Sequence, residues 1–162
     1  MSSHFDLLDH ERFMREALGE AELAGQVGEL PIGAVLVHAG QVVGRDRARH
    51  KERQSKLAHA EMNLFYTTQQ YLFAHYRECV LYTTVEPCIM CLGTLVMLDI
   101  HHVVFALADH WINPAAMLQI EYVKRHIDHY AGGVLEKESL DLWATYRPDE
   151  ISLLLEGRPL QS

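Results

Sequence analysis

Residues 79 to 91 read CVLYTTVEPCIMC, from Cys79 to Cys91, and their reading decides the fold. The apolar run from Cys79 to Thr83 predicts a short strand. Pro87 predicts a helix from Cys88 to about Leu98, because proline suits a first turn where its missing N–H has no partner to lose. A strand feeding directly into a helix is the unit of an α/β chain. Cys88 and Cys91 then share one helix face. They lie in a first turn whose unpaired N–H groups favour a thiolate. Alone, a Cys-x-x-Cys pair leaves three readings open: a redox couple, half of a metal site, or two small core residues. Nothing in the stretch resembles a thioredoxin-type active site, which weighs against the first.

The alternation continues outward. Residues 9 to 27 predict a helix, with Asp9 as cap and Phe13, Ala17, Ala21 and Ala24 at three- and four-residue steps. Pro31 to Val37 and Gln41 to Gly44 predict a hairpin that turns at Ala39-Gly40. A helix is expected from about Ala58 to Phe73, with Met62, Phe65, Tyr66 and Leu72 as core contacts. Then come a strand at His102 to Leu107, a helix from Pro114 to about Arg125, a turn at Gly132-Gly133 and a helix from Glu136 to Tyr146. Val134-Leu135 is too short to assign alone, and Asp149 to Ser162 has room for a turn or two of helix. The expected architecture is a three-layer α/β/α sandwich around a central mixed sheet, forming a single domain over residues 1–162.

Composition narrows the class. With 49% hydrophobic and 22% charged residues the chain is ordinary for a globular protein. No apolar run reaches membrane-spanning length. The N-terminal MSSHFDLLDHERF lacks the basic-then-apolar order of a signal peptide, so a cytoplasmic location is expected. Three cysteines are too few for a disulfide scaffold. A net charge of −8 argues against a protein whose main task is gripping a phosphate backbone. The run RDRARHKERQSK, residues 45–56, is the exception; it reads as a solvated loop or as a contact surface for an anionic substrate.

A metal site needs a further ligand, and His59 is placed to supply it, at a predicted helix start in Ala58-His59-Ala60-Glu61. His59, Cys88 and Cys91 offer three ligands to one Zn2+ per chain and leave the fourth tetrahedral position to water, the catalytic pattern. Zinc lowers the pKa of such water toward about 7 and so supplies hydroxide. Glu61, near the metal but not a ligand, can carry the proton as base and then as acid. Cys79, ahead of the strand, is read as core rather than as a fourth ligand.

His-x-Glu followed by Pro-Cys-x-x-Cys is the signature of zinc nucleobase deaminases. Together with Leu30 to Val37, the hairpin with Gly44, Leu81-Tyr82-Thr83, Val103-Val104-Phe105 and Gly132 to Leu135, it makes about residues 10–147 resemble the cytidine/deoxycytidylate deaminase superfamily. The likeness is closest to the tRNA adenosine deaminase and guanine deaminase branch. The resemblance implies a cytidine deaminase-like fold with five strands, zinc on His59, Cys88 and Cys91, and proton transfer by Glu61. It further implies substrate contacts at the Ala60 N–H, Glu86 and Asp109, and a homodimer.

Departures bear on the substrate. Ala48 stands where the branch carries a substrate-contacting asparagine, and Ser55-Lys56 replaces an Asp-Pro. Trp111 lies in a loop unlike that of the tRNA enzymes and could stack on a planar ring. The basic C-terminal tail of those enzymes is missing. These features and the acidic charge favour a free nucleobase or nucleoside such as guanine, cytosine or adenine. Adenosine in tRNA is the alternative, and a catalytically inactive zinc-bearing partner subunit is a third reading, against which Glu61 argues.

Overall fold

Alternate residues of the central strands face opposite layers, and this parity positions everything that follows. The computed structural model describes residues 5–157. Strands β1 (Gly33–His38), β2 (Gln41–Arg47), β3 (Val80–Val85), β4 (His102–Leu107) and β5 (His129–Ala131) form one sheet in the order β2-β1-β3-β4-β5. β1 runs antiparallel to both β2 and β3, whereas β3–β4 and β4–β5 are parallel, so the sheet is mixed.

Helices α1 (His10–Gln26) and α5 (Glu136–Tyr146) cover one face; α2 (Ala60–His75) and α3 (Ile89–Met97) cover the other. Val35, Val37, Val80, Tyr82, Val104 and Ala106 point toward α1 and join Phe13, Met14 and Ala17. Ala34, Leu36, Leu81, Val103 and Phe105 point the other way, into a core shared with Leu64, Leu72, Leu92 and Leu95. All of β3 is buried, as expected for a central strand with a helix on each face. The sheet and its two helical layers match the expected fold.

Local chemistry sets the edges. Asp9 caps α1 by accepting from the Arg12 N–H at 3.0 Å. Ala39 and Gly40 both take positive φ, as a two-residue hairpin turn requires. Gly33 lets β1 lie against α1, since a Cβ there would stand 2.2 Å from the Ala17 carbonyl oxygen.

Several boundaries differ from expectation. β2 continues three residues past Gly44, because Arg45 and Arg47 reach Glu16 and Glu20 of α1 at 3.0 and 3.1 Å. The strand expected at Cys79–Thr83 runs Val80–Val85. α3 starts at Ile89, with Cys88 as its cap and Pro87 one residue further out, so the proline stops the strand rather than sitting in the helix. The helix expected over Pro114 to Arg125 divides into a 3-10 segment, Pro114–Gln119, and the short α4 (Glu121–Arg125). β5 precedes Gly132-Gly133. Tyr66, expected in the core, is 71% exposed. A 3-10 turn at Pro148–Glu150 leads into α6 (Ile151–Glu156), and the end of the expected C-terminal helical stretch lies outside the described residues. Among the described residues no helix is long and apolar enough to cross a membrane.

Candidate metal and catalytic site

His59 and Cys88 hold the same kind of position: each is the N-cap of a helix, with extended backbone (φ −67°, ψ 154° and φ −63°, ψ 173°). Neither side chain caps its own helix, so both are free to turn toward each other. Cys91, in the first turn of α3, completes a triangle. Cys88 Sγ lies 3.5 Å from His59 Nδ1 and 3.5 Å from Cys91 Sγ, and Cys91 Sγ lies 3.6 Å from His59 Nδ1.

Tetrahedral zinc, with bonds of about 2.3 Å to sulfur and 2.0–2.1 Å to nitrogen, places an S–N pair about 3.6 Å apart and an S–S pair about 3.8 Å apart. The observed triangle fits, and its soft thiolates and imidazole suit zinc. Contact with the Cys91 thiol, followed by His59, lowers the Cys88 thiol to about 4 despite burial. His59 is raised, first by its contact with Cys88, with burial opposing. Cys79 is buried in the core and its thiol is pushed up to about 12 by burial, as expected for a packing residue.

Glu61 projects from the first turn of α2 beside this triangle. Its Oε1 accepts from the Thr83 hydroxyl at 2.7 Å, and its Oε2 lies 3.5 Å from Cys91 Sγ. Thr83 reaches it because β3 parity turns that residue toward α2. Burial raises the Glu61 carboxyl above the usual range, with the Thr83 bond opposing. A carboxylate poised this way is suited to exchanging protons.

A cavity of about 140 Å³ opens from the triangle. It is lined by His59, Glu61 and Cys88 at one end and by Trp111, Trp143 and Leu154 at the other. Ala60 is fully buried at the start of α2. Glu86 lines the cavity, yet both its oxygens are engaged: one accepts from Tyr130 OH at 2.8 Å and the other from the Asp109 N–H at 3.0 Å. Asp109 Oδ1 accepts from the Trp111 and Ile112 N–H groups, each at 3.0 Å, so this acid shapes the loop that presents Trp111. Trp111 is half-exposed at the rim. Ala48 is buried, and its N–H donates to the Ile32 carbonyl at 3.0 Å.

Three features escaped sequence reasoning. Asn63 donates to the carbonyls of Arg47 and Ala58 and accepts from Arg53, holding the loop that presents His59. Trp143 is buried on the cavity wall with its indole N–H unpaired among the described residues. α6 covers the cavity through Leu153 and Leu154, tied down by the His110 N–H on the Leu154 carbonyl at 2.9 Å. The arginines at the start of the basic run are paired at home: Arg45 and Arg47 with Glu16 and Glu20, and Arg49 with Asp46 and Glu52, while Lys51 Nζ donates to the Gly28 carbonyl and Arg53 to Asn63.

Residues 8–107 match the family of the cytidine and deoxycytidylate deaminase zinc-binding region. A tRNA-specific adenosine deaminase of Bacillus subtilis (strain 168) is 36% identical over 79% of this chain and 82% of its own length. A structure from biochemical and structural studies of A-to-I editing by tRNA:A34 deaminases at the wobble position superposes with a TM-score of 0.68 at 30% identity, covering 81% of this chain and 98% of that one. A guanine deaminase from Bacillus subtilis gives 0.58 at 28% identity, covering 69% and 71%.

Proposed function

The chain belongs to the cytidine and deoxycytidylate deaminase family defined by its zinc-binding region, and on that premise we propose that it hydrolytically removes an exocyclic amine from a purine-type heterocycle. One observation carries this reading: Glu61 is a buried carboxylate held beside the His59–Cys88–Cys91 triangle by Thr83. His59, Cys88 and Cys91 would hold zinc, which when bound supplies a Lewis acid at neutral pH. Glu61 takes one proton from the attacking water and gives it to the ring nitrogen, then carries the second, from the hydroxyl now on the ring carbon, to the leaving amine. The water oxygen bonds to the ring carbon, the C–N bond breaks and ammonia departs. Burial favours the protonated form of Glu61, as suits a group that stores a proton between two transfers.

The remaining contacts divide by chemistry. The Ala60 N–H, at a helix start, orients a ring nitrogen or carbonyl. Trp111 stacks at the rim, and Trp143 closes the cavity wall as a packed apolar surface. Asp109 and Glu86 act by holding the Trp111 loop and Tyr130 in place.

A free base or nucleoside fits a cavity covered by α6 and arginines already paired within the chain. Sequence similarity favours a second reading, adenosine within tRNA, the substrate for which the relative at 36% identity is named. Ammonia release from free purines and pyrimidines, run beside a wobble-adenosine stem-loop, separates the two. Turnover of free bases alone supports the first. Turnover confined to RNA and falling steeply with salt establishes the second. Release from neither by zinc-loaded protein overturns the enzymatic reading. A homodimer is part of this reading, and light scattering tests it. Reduced ligand thiols accord with a cytoplasmic location.

A further inference from the structure

We propose that His38, His75 and Glu78 form a second metal site, for a borderline divalent cation such as zinc, at the far end of α2 from the first. α2 spans Ala60–His75. At 1.5 Å per residue its ends are about 24 Å apart, so the two sites fill independently.

The fold brings these residues together from three elements. His38 ends β1, on the same strand face as Ala34 and Leu36, and therefore points to the α2 side of the sheet. His75 ends α2, and Glu78 ends the 3-10 turn (Tyr76–Glu78) that follows. One ligand atom from each lies within 4.8 Å of the others. His38 Nε2 stands 4.0 Å from Glu78 Oε2, and the two imidazoles lie 4.7 Å apart, centroid to centroid.

His38 Nδ1 lies 2.6 Å from the Tyr71 hydroxyl. Donating Nδ1–H to that oxygen leaves the Nε2 lone pair facing Glu78, the outer hydrogen bond that typically orients a ligand imidazole. Two imidazoles and a carboxylate form a ligand set that zinc accepts, with water in the remaining position. Around such an ion a nitrogen and an oxygen sit about 3.4 Å apart. The exposed Glu78 side chain can close that gap, while the His75 ring, now tilted 28° from His38, turns its nitrogen inward.

Equilibrium dialysis of the holoprotein against zinc, followed by metal analysis, tests the site. Two equivalents per chain are expected. With cobalt(II) in place of zinc, the first equivalent shows the thiolate charge-transfer absorption of Cys88 and Cys91, and the second lacks it. Glu78→Gln and His75→Gln should each weaken the second equivalent at least about tenfold, and Tyr71→Phe by roughly tenfold through loss of the orienting hydroxyl. Glu78 is exposed, so its variant tests the site without threatening the fold. Uptake of a single equivalent at every zinc concentration overturns the proposal, as does a second equivalent that binds Glu78→Gln and His75→Gln unchanged. Ammonia release and the thiolate band report on the first site separately, so failure here leaves the deaminase reading standing.

Discussion

Thr83 donates its hydroxyl to Glu61 Oε1 at 2.7 Å, from the one central strand whose every residue is buried. The bond points one carboxylate oxygen at the sheet and leaves the other near Cys91. Glu61→Gln keeps the shape and loses the proton carrier. Turnover should fall by about 10²–10⁴-fold or more while zinc content stays at wild-type level. Ammonia assay and metal analysis on one sample check both; full activity would remove Glu61 from its role.

Two cysteines in different surroundings should behave oppositely. Cys88→Ala takes away one corner of the triangle, so zinc content should collapse. Cys79→Ala lies in the core and should keep zinc and activity, with a loss of about 1 kcal/mol in stability. Metal stoichiometry beside urea unfolding distinguishes them.

The tryptophans of the cavity contribute binding rather than chemistry. Trp143→Phe trims the cavity wall while retaining most of the packing, which should raise KM about 2- to 10-fold with kcat nearly unchanged. Trp111→Ala removes the half-exposed stacking surface and should raise KM by a similar factor. Steady-state kinetics on the best substrate of the panel reads both.

Gly33→Ala pushes a methyl group into the backbone of α1, at Ala17 and Ala21, which cannot yield as a flexible side chain would. A loss of up to about 3 kcal/mol is expected from such overpacking, measured by chemical denaturation.

His10 sets an acid-side stability limit. Its ring nitrogen lies 2.8 Å from the Tyr82 hydroxyl, and burial lowers its pKa below 6.5, against the pull of Asp6 and Asp9. Because the folded value is the lower one, its contribution is complete above pH 6.5 and is lost as the pH falls below that value. The melting temperature of the wild type should drop more steeply than that of His10→Gln as pH decreases from 7.5 to 5.5, values set by the ordinary histidine range of about 6.5.

Much of the candidate site was legible because its candidate ligands are local features. His59, Cys88 and Cys91 sit at helix starts that proline and the apolar patterns announce, and Glu61 follows within one turn. Thr83 depends on strand parity, and the placing of Trp143 and α6 against the cavity depends on packing across the whole chain, so these contacts have no local signal. The arginines of residues 45–56 look free in sequence because Glu16 and Glu20 stand 29 and 27 residues earlier than Arg45 and Arg47. β5 has only three residues, His129–Ala131, too few for a period to show.

That two of the three candidate ligands occupy cap positions would join a bound cation to the fraying of two helices. Chelation should speed amide hydrogen exchange first in the opening turns of α2 and α3, long before the sheet opens. Catalytic competence and the local order of those turns would then be lost together.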